Sequence, residues 1–113
     1  MSNVIEVNVD NFKSEIEESS MPVAVKFYTN TCMPCRMIAP TFEQASVDYD
    51  GKIKFAAINI DGNRKLFSEF SVNVVPTIIF VKDNDVISSL VGAINKERID
   101  VEILKILQES DNI

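Results

Sequence analysis

The 113-residue chain is 46% apolar and carries 11 basic against 17 acidic side chains, a net charge of −6. That length suits one domain with a real core, and that apolar content excludes an intrinsically disordered chain. The acidity argues against a nucleic-acid surface, and the longest apolar run, residues 74–81, falls far short of the ~18 residues of a membrane span.

Residues 4–9 alternate in polarity and read as a strand with one polar face. Asp10 is placed to N-cap a helix with Phe12 and Ile16 at i,i+4, ending near Ser19-Ser20. Residues 23–28, apolar on both faces except for Lys26, suit a strand covered from both sides. The helical pattern after the cysteines places Ile38, Phe42, Ala45 and Tyr49 on one face, with Gly51 as its C′ residue. A third strand is expected over 53–60, and a short helix over 63–70 with Leu66, Phe67 and Phe70 on one side. Residues 77–81 and 86–91 read as an antiparallel pair joined by the turn-rich segment 82–85. Asn95 caps a last helix with the apolar stripe Ile99, Ile103, Ile106 and Leu107. The order predicts an α/β fold, a central mixed five-stranded sheet flanked by four helices, as a single domain over residues 1–113. The start of the chain shows no secretory leader, so a cytoplasmic protein is expected.

Cys32 and Cys35 are the only cysteines, and there is no histidine. Two ligands do not close a zinc site, and Cys-His or Ser-His-Asp catalysis lacks its base. What remains is one C-x-x-C pair in a chain read as cytosolic, where lasting structural disulfides are rare. The pair lies where a buried strand hands over to a helix, whose unpaired N–H groups and positive dipole end stabilise a thiolate. Pro34 is tolerated there because a first-turn N–H has no intrahelical partner. Cys32, at the tip, is expected to be the exposed, low-pKa nucleophile, and Cys35, inside the first turn, the covered resolving thiol.

Four motifs in order, Cys32-Met33-Pro34-Cys35-Arg36-Met37-Ile38-Ala39-Pro40, Asn59-Ile60-Asp61, Val75-Pro76-Thr77 and Val91-Gly92-Ala93, resemble the thioredoxin family over about residues 4–107. The resemblance implies a thioredoxin fold and a small protein-disulfide reductase and electron carrier. Its substrates would be disulfide-containing client proteins. Its electrons would come from a separate thioredoxin reductase, since the chain has no flavin- or nucleotide-binding motif. No cofactor or metal of its own is implied, and a monomer without a membrane or nucleic-acid partner is expected. Val75-Pro76-Thr77 corresponds to a loop whose proline peptide is cis and faces the cysteines; by pattern alone, Pro76 equally reads as a proline opening a strand. Gly92 corresponds to a glycine that lets a partner's backbone approach. Thr31, Ile60, Val74, Val75, Pro76, Gly92 and Ala93 are thereby the expected substrate-binding rim, and Met33, Pro34 and Pro76 tune the couple. Pro40, inside the cysteine helix, is expected to kink it.

The chain departs from the family pattern in three ways. Thr31 and Met33 stand where thioredoxins have Trp and Gly. Ser71, Val74 and Asn84 fall where glycine is common, and Val74 would narrow the substrate groove. Lys26 stands where the family usually buries an aspartate, and the lysine that pairs with it is here Ala57. Lys26 has two readings. Its stem packs while its ammonium reaches water; or it tunes Cys35, as a cation that lowers the thiol pKa or as a neutral amine that takes the proton. Two other functions compete with the leading one: a docking module that does little redox work, and a metal or cluster shared by the C-x-x-C pairs of two chains.

Overall fold

The computed structural model describes residues 2–111. Its elements are β1 (Ile5–Glu6), a π-type helical turn (Lys13–Glu17), β2 (Val23–Tyr28), α1 (Met33–Asp48), β3 (Lys54–Asn59), α2 (Arg64–Glu69), β4 (Thr77–Lys82), β5 (Asp85–Val91) and α3 (Lys96–Asp111). This is the expected α/β order of five strands and four helical segments. The sheet runs β1-β3-β2-β4-β5. β1 and β2 lie parallel to β3, whereas β4 is antiparallel to both β2 and β5.

Because side chains alternate along a strand, the central strand β2 feeds two cores. Ala24, with Ile78 and Phe80 of β4, meets α1 (Ile38, Phe42, Ala45) and α3 (Ile99, Ile103, Ile106). Val23, Val25 and Phe27, with Ile79 and Val81, meet the π-type turn (Ile16) and α2 (Leu66). Each fully buried Val, Leu, Ile or Phe among them contributes roughly 1.5–3 kcal/mol. Edge-on aromatic pairs lock both layers: Phe42 on Phe55 at 5.2 Å, and Phe27 on Phe67 at 6.0 Å. Lys26 points to the same side as Ala24. Its strand neighbours are Ala57 on β3 and Ile78 on β4.

The amino-terminal segment departs from expectation. Only Ile5–Glu6 form the first strand, not all of residues 4–9. The chain turns early because Asn8 caps the next segment: its Oδ1 accepts from the N–H groups of Asp10 (2.8 Å) and Asn11 (3.3 Å). Asn11 Oδ1 accepts in return from Asn8 N–H at 2.8 Å, a reciprocal capping box. The cap is therefore Asn8, not Asp10. Gly51 does take a left-handed turn (φ 82°), but one residue later than expected, since the helix closes at the C-cap Tyr49. α1 runs on through Pro40. At the other end, Arg98 N–H donates to Asn95 Oδ1 at 2.9 Å, the expected cap of α3. Asp83 (φ 51°) and Asn84 (φ 66°) give the β4–β5 hairpin a type I′ turn, closed by the pair Lys82 and Asp85. Ser71 (φ 56°) also stands in left-handed backbone, so two of the three glycine replacements occupy glycine-like conformations.

Candidate active site

Cys32 is the N-cap of α1. Its backbone is extended (φ −90°, ψ 110°), and its Sγ accepts from the N–H of Cys35 at 3.1 Å. Pro34 occupies the first turn, where no donor is lost. The two sulfurs are joined as a disulfide, with Cα atoms 5.2 Å apart. Cys32 is half-buried, whereas Cys35 is 3% exposed. Cys32 is thus the less buried of the pair, and its sulfur sits at the positive end of the helix, facing the Cys35 N–H.

The sheet topology assembles the surroundings. Parallel β2 and β3 end at the same edge of the sheet where antiparallel β4 begins and β5 ends, since Thr77 pairs with both Phe27 and Val91. The loops carrying Thr31, Ile60, Val74–Val75 and Gly92–Ala93 leave the sheet at that edge. The Val75–Pro76 peptide is cis. Thr77 Oγ1 donates to the Val74 carbonyl (2.7 Å), and Gly92 N–H donates to the Pro76 carbonyl (2.9 Å), tying two of these loops together. Gly92 holds φ 93°, which disfavours any side chain, and the space a Cβ would occupy is open. Thr31, Met33, Pro34, Val74 and Ala93 are exposed; Ile60, Val75 and Gly92 are half-buried; Pro76 is buried. Met33, 64% exposed, and Val74, 46% exposed, are the rim's large apolar surfaces.

Behind Cys35 lies a cavity of about 430 Å³ lined by Lys26, Glu6, Tyr28 and Arg36 among others. Lys26 is 7% exposed, and its Nζ lies 5.2 Å from the ring centroids of both Tyr28 and Phe42. The stem is packed, as the first reading of this lysine requires, but the amine ends between two aromatic faces in the cavity that Cys35 also lines. Burial pulls the Lys26 pKa below its usual 10.5, while Glu43 and then Glu6 act the other way. Burial and a hydrogen bond to Glu6 (2.8 Å) push Tyr28 up to about 12.

Asn30 escaped the sequence reading. Its carbonyl accepts from Arg36 Nη2 (2.9 Å), its Oδ1 accepts from Asn59 Nδ2 (3.0 Å), and its N–H donates to Asp61 Oδ2 (3.4 Å). It fastens the loop before Cys32 to the loop after β3. The only trace in the sequence is the motif Asn59-Ile60-Asp61, which holds two of its three partners. Glu6 and Tyr28, at the mouth of the Lys26 cavity, also went unnoticed, because nothing in their spacing connects them with the cysteines.

Among the described residues no helix is long and apolar enough to cross a membrane. The thioredoxin family model matches residues 3–105. The chain is 32% identical over 99 residues to thioredoxin of Haemophilus influenzae, covering 88% of this chain and 92% of that protein. It is 35% identical over 96 residues to thioredoxin 1 of a Nostoc species, covering 85% and 90%. With the M-type chloroplastic thioredoxin of Chlamydomonas reinhardtii it shares 36% over 101 residues, covering 89% and 72%. A family match over nearly the whole chain thus coincides with a C-x-x-C disulfide at a helix tip: the chain belongs to the thioredoxin family, and is a protein-disulfide oxidoreductase whose redox couple is Cys32–Cys35.

Proposed function

We propose that Cys32 is the nucleophile and Cys35 the resolving thiol in the reduction of client-protein disulfides. The observation that supports this division is the unequal burial of the two residues, with Cys35 at 3% exposure and Cys32 only half-buried at the helix tip. The Cys32 thiolate attacks a client disulfide, forming a mixed disulfide and releasing one client thiolate. Cys35 then loses its proton and attacks the Cys32 sulfur, closing the Cys32–Cys35 bond and releasing the second client thiolate. Two electrons from a separate thioredoxin reductase reopen that bond.

The rim suits an extended client segment. Met33, Val74 and Ala93 offer exposed apolar contact, and the open space over Gly92 accommodates a second backbone. Val74 in place of a glycine narrows the groove and so the range of clients. The reading takes residues 1–113 as one monomeric domain working in the cytoplasm without a metal or cofactor.

Insulin-disulfide reduction with dithiothreitol as electron source tests it. Cys32→Ser is expected to abolish turnover, and Cys35→Ser to stop at a trapped mixed disulfide. A Cys32→Ser protein as fast as wild type would refute the assignment and favour a docking module.

A further inference from the structure

Lys26 stands on the central strand of the sheet, in a cavity it shares with Cys35. Its amine rests on the electron-rich faces of Tyr28 and Phe42, each centroid 5.2 Å away, contacts that favour the charged form against the burial that disfavours it. The groups facing it are Glu6 from β1, Tyr28 from β2, and Cys35, Arg36 and Glu43 from α1; its strand neighbours Ala57 and Ile78 do not titrate. Glu6 is engaged by the Tyr28 hydroxyl at 2.8 Å, and among the described residues no carboxylate forms an ion pair with Lys26. Glu43 and Glu6 act on this amine through space, but neither is in contact with it, so part of its field reaches the Cys35 side of the shared cavity.

A negative charge for that field to act on comes with reduction of the disulfide. In the oxidised state the sulfurs are neutral; in the reduced state the proposed reaction needs a thiolate at Cys32, whose bonded partner Cys35 lines the Lys26 cavity. We propose that Lys26 stabilises the reduced, thiolate-bearing state and thereby makes the Cys32–Cys35 disulfide a stronger oxidant than the same site would be with a neutral or acidic residue at this position. Anything that selectively stabilises the reduced form raises the reduction potential. The lysine acts through the sulfurs and touches no substrate, so it is a positioning residue for the redox equilibrium. This inference rests on the oxidoreductase reading and gives it a direction: the chain is biased toward accepting electrons, and its reducing power toward clients is correspondingly milder.

Equilibration with glutathione measures the effect. Two glutathione thiols give up two electrons and two protons and form one disulfide. The Cys32–Cys35 bond takes both electrons, Cys35 takes one proton, and the other proton goes to water while Cys32 stays a thiolate. Thiols are counted by alkylation and mass, because the chain has no tryptophan to report its redox state. Lys26→Met is expected to shift the equilibrium about tenfold toward the disulfide, ~30 mV for a two-electron couple, and Lys26→Arg to keep the wild-type value. As pH rises toward 10.5, wild type is expected to approach Lys26→Met while Lys26→Arg stays apart, because burial lowers the pH at which Lys26 gives up its charge. Should Lys26→Met fail to fold, Lys26→Gln makes the same comparison. A neutral variant within twofold of wild type, or an arginine variant that behaves like the neutral one, would overturn this inference alone. A wild-type disulfide that does not exchange at all would overturn the oxidoreductase reading with it.

Discussion

Phe42 links the core to the active-site cavity, and replacing it with leucine separates its two roles. The ring is wholly buried, stands edge-on to Phe55 at 5.2 Å and lies beneath Lys26 Nζ at 5.2 Å. Leucine keeps most of the apolar bulk, so imperfect repacking costs about 1 kcal/mol. Losing the aromatic pair adds about 1 kcal/mol, and losing the largely desolvated cation–π contact about 1 kcal/mol more. Phe42→Leu is therefore expected to lose ~3 kcal/mol, a large part of the ~5–15 kcal/mol that holds a domain of this kind together. Urea unfolding of the oxidised protein, followed by far-ultraviolet circular dichroism, measures the loss as a lower midpoint with an unchanged slope. A double-mutant cycle with Lys26→Met isolates the ring–ammonium coupling, expected near 1 kcal/mol at neutral pH and fading as Lys26 deprotonates. Additivity of the two substitutions to within about 0.3 kcal/mol at neutral pH would refute the claim that this ring holds the cation.

In the reduced protein at neutral pH, iodoacetamide is expected to modify Cys32 at least about tenfold faster than Cys35; equal rates, read by peptide mass, would remove the exposure argument. On the alkaline side, burial first, and then hydrogen bonds to Glu6 and Asp100 respectively, push Tyr28 and Tyr49 from 10.0 to about 12. The folded state then keeps protons that the unfolded state has lost. Stability is expected to fall as pH rises from about 10 to about 12, and the double variant Tyr28→Phe/Tyr49→Phe to flatten that slope in urea titrations. On the acid side, the Ser88 hydroxyl (2.6 Å), and after it Arg98, hold the Glu102 carboxyl below its usual 4.5 despite burial. That contribution is fully present above 4.5 and is lost as pH falls through the lowered folded value. Ser88→Ala is expected to cost ~1 kcal/mol at neutral pH and to move acid unfolding to higher pH, measured as the midpoint of a pH titration.

What could be read from the sequence followed periodicity. The stripe Ile99, Ile103 and Ile106 is buried and Leu107 partly so, and the two-sided apolar run of β2 lies at the centre of the sheet between two cores. Those patterns are set by burial, which a one-dimensional pattern records directly. The amino terminus went astray because residues 4–9 alternate like a strand while Asn8 and Asn11 exchange hydrogen bonds that no hydropathy pattern encodes. The cysteine pair was legible for the same reason as the helices, since strand, C-x-x-C and helix are adjacent in the chain. The Lys26 cavity was half legible. The lysine stood out as a charge in an apolar strand, and Tyr28 follows it at i+2 on the same face, but Glu6 and Phe42 come from β1 and α1 and meet it only after folding. Asn30 shows the same limit: two of its three partners lie about thirty positions away.

Pro40 has no amide hydrogen to offer the Arg36 carbonyl, so α1 is unlaced at its midpoint. Beyond that gap the helix is moored, by Phe42 and Ala45 in the core and by Asp48, whose carboxylate grips Lys96 of α3 at 2.7 Å. Ahead of it, Ile38 sits in the same core, and the sulfur-bearing turn is joined to the rest of the helix by one fewer bond. The one rung that proline removes thus lies between the turn that carries the sulfurs and the stretch of α1 tied to its neighbouring helix.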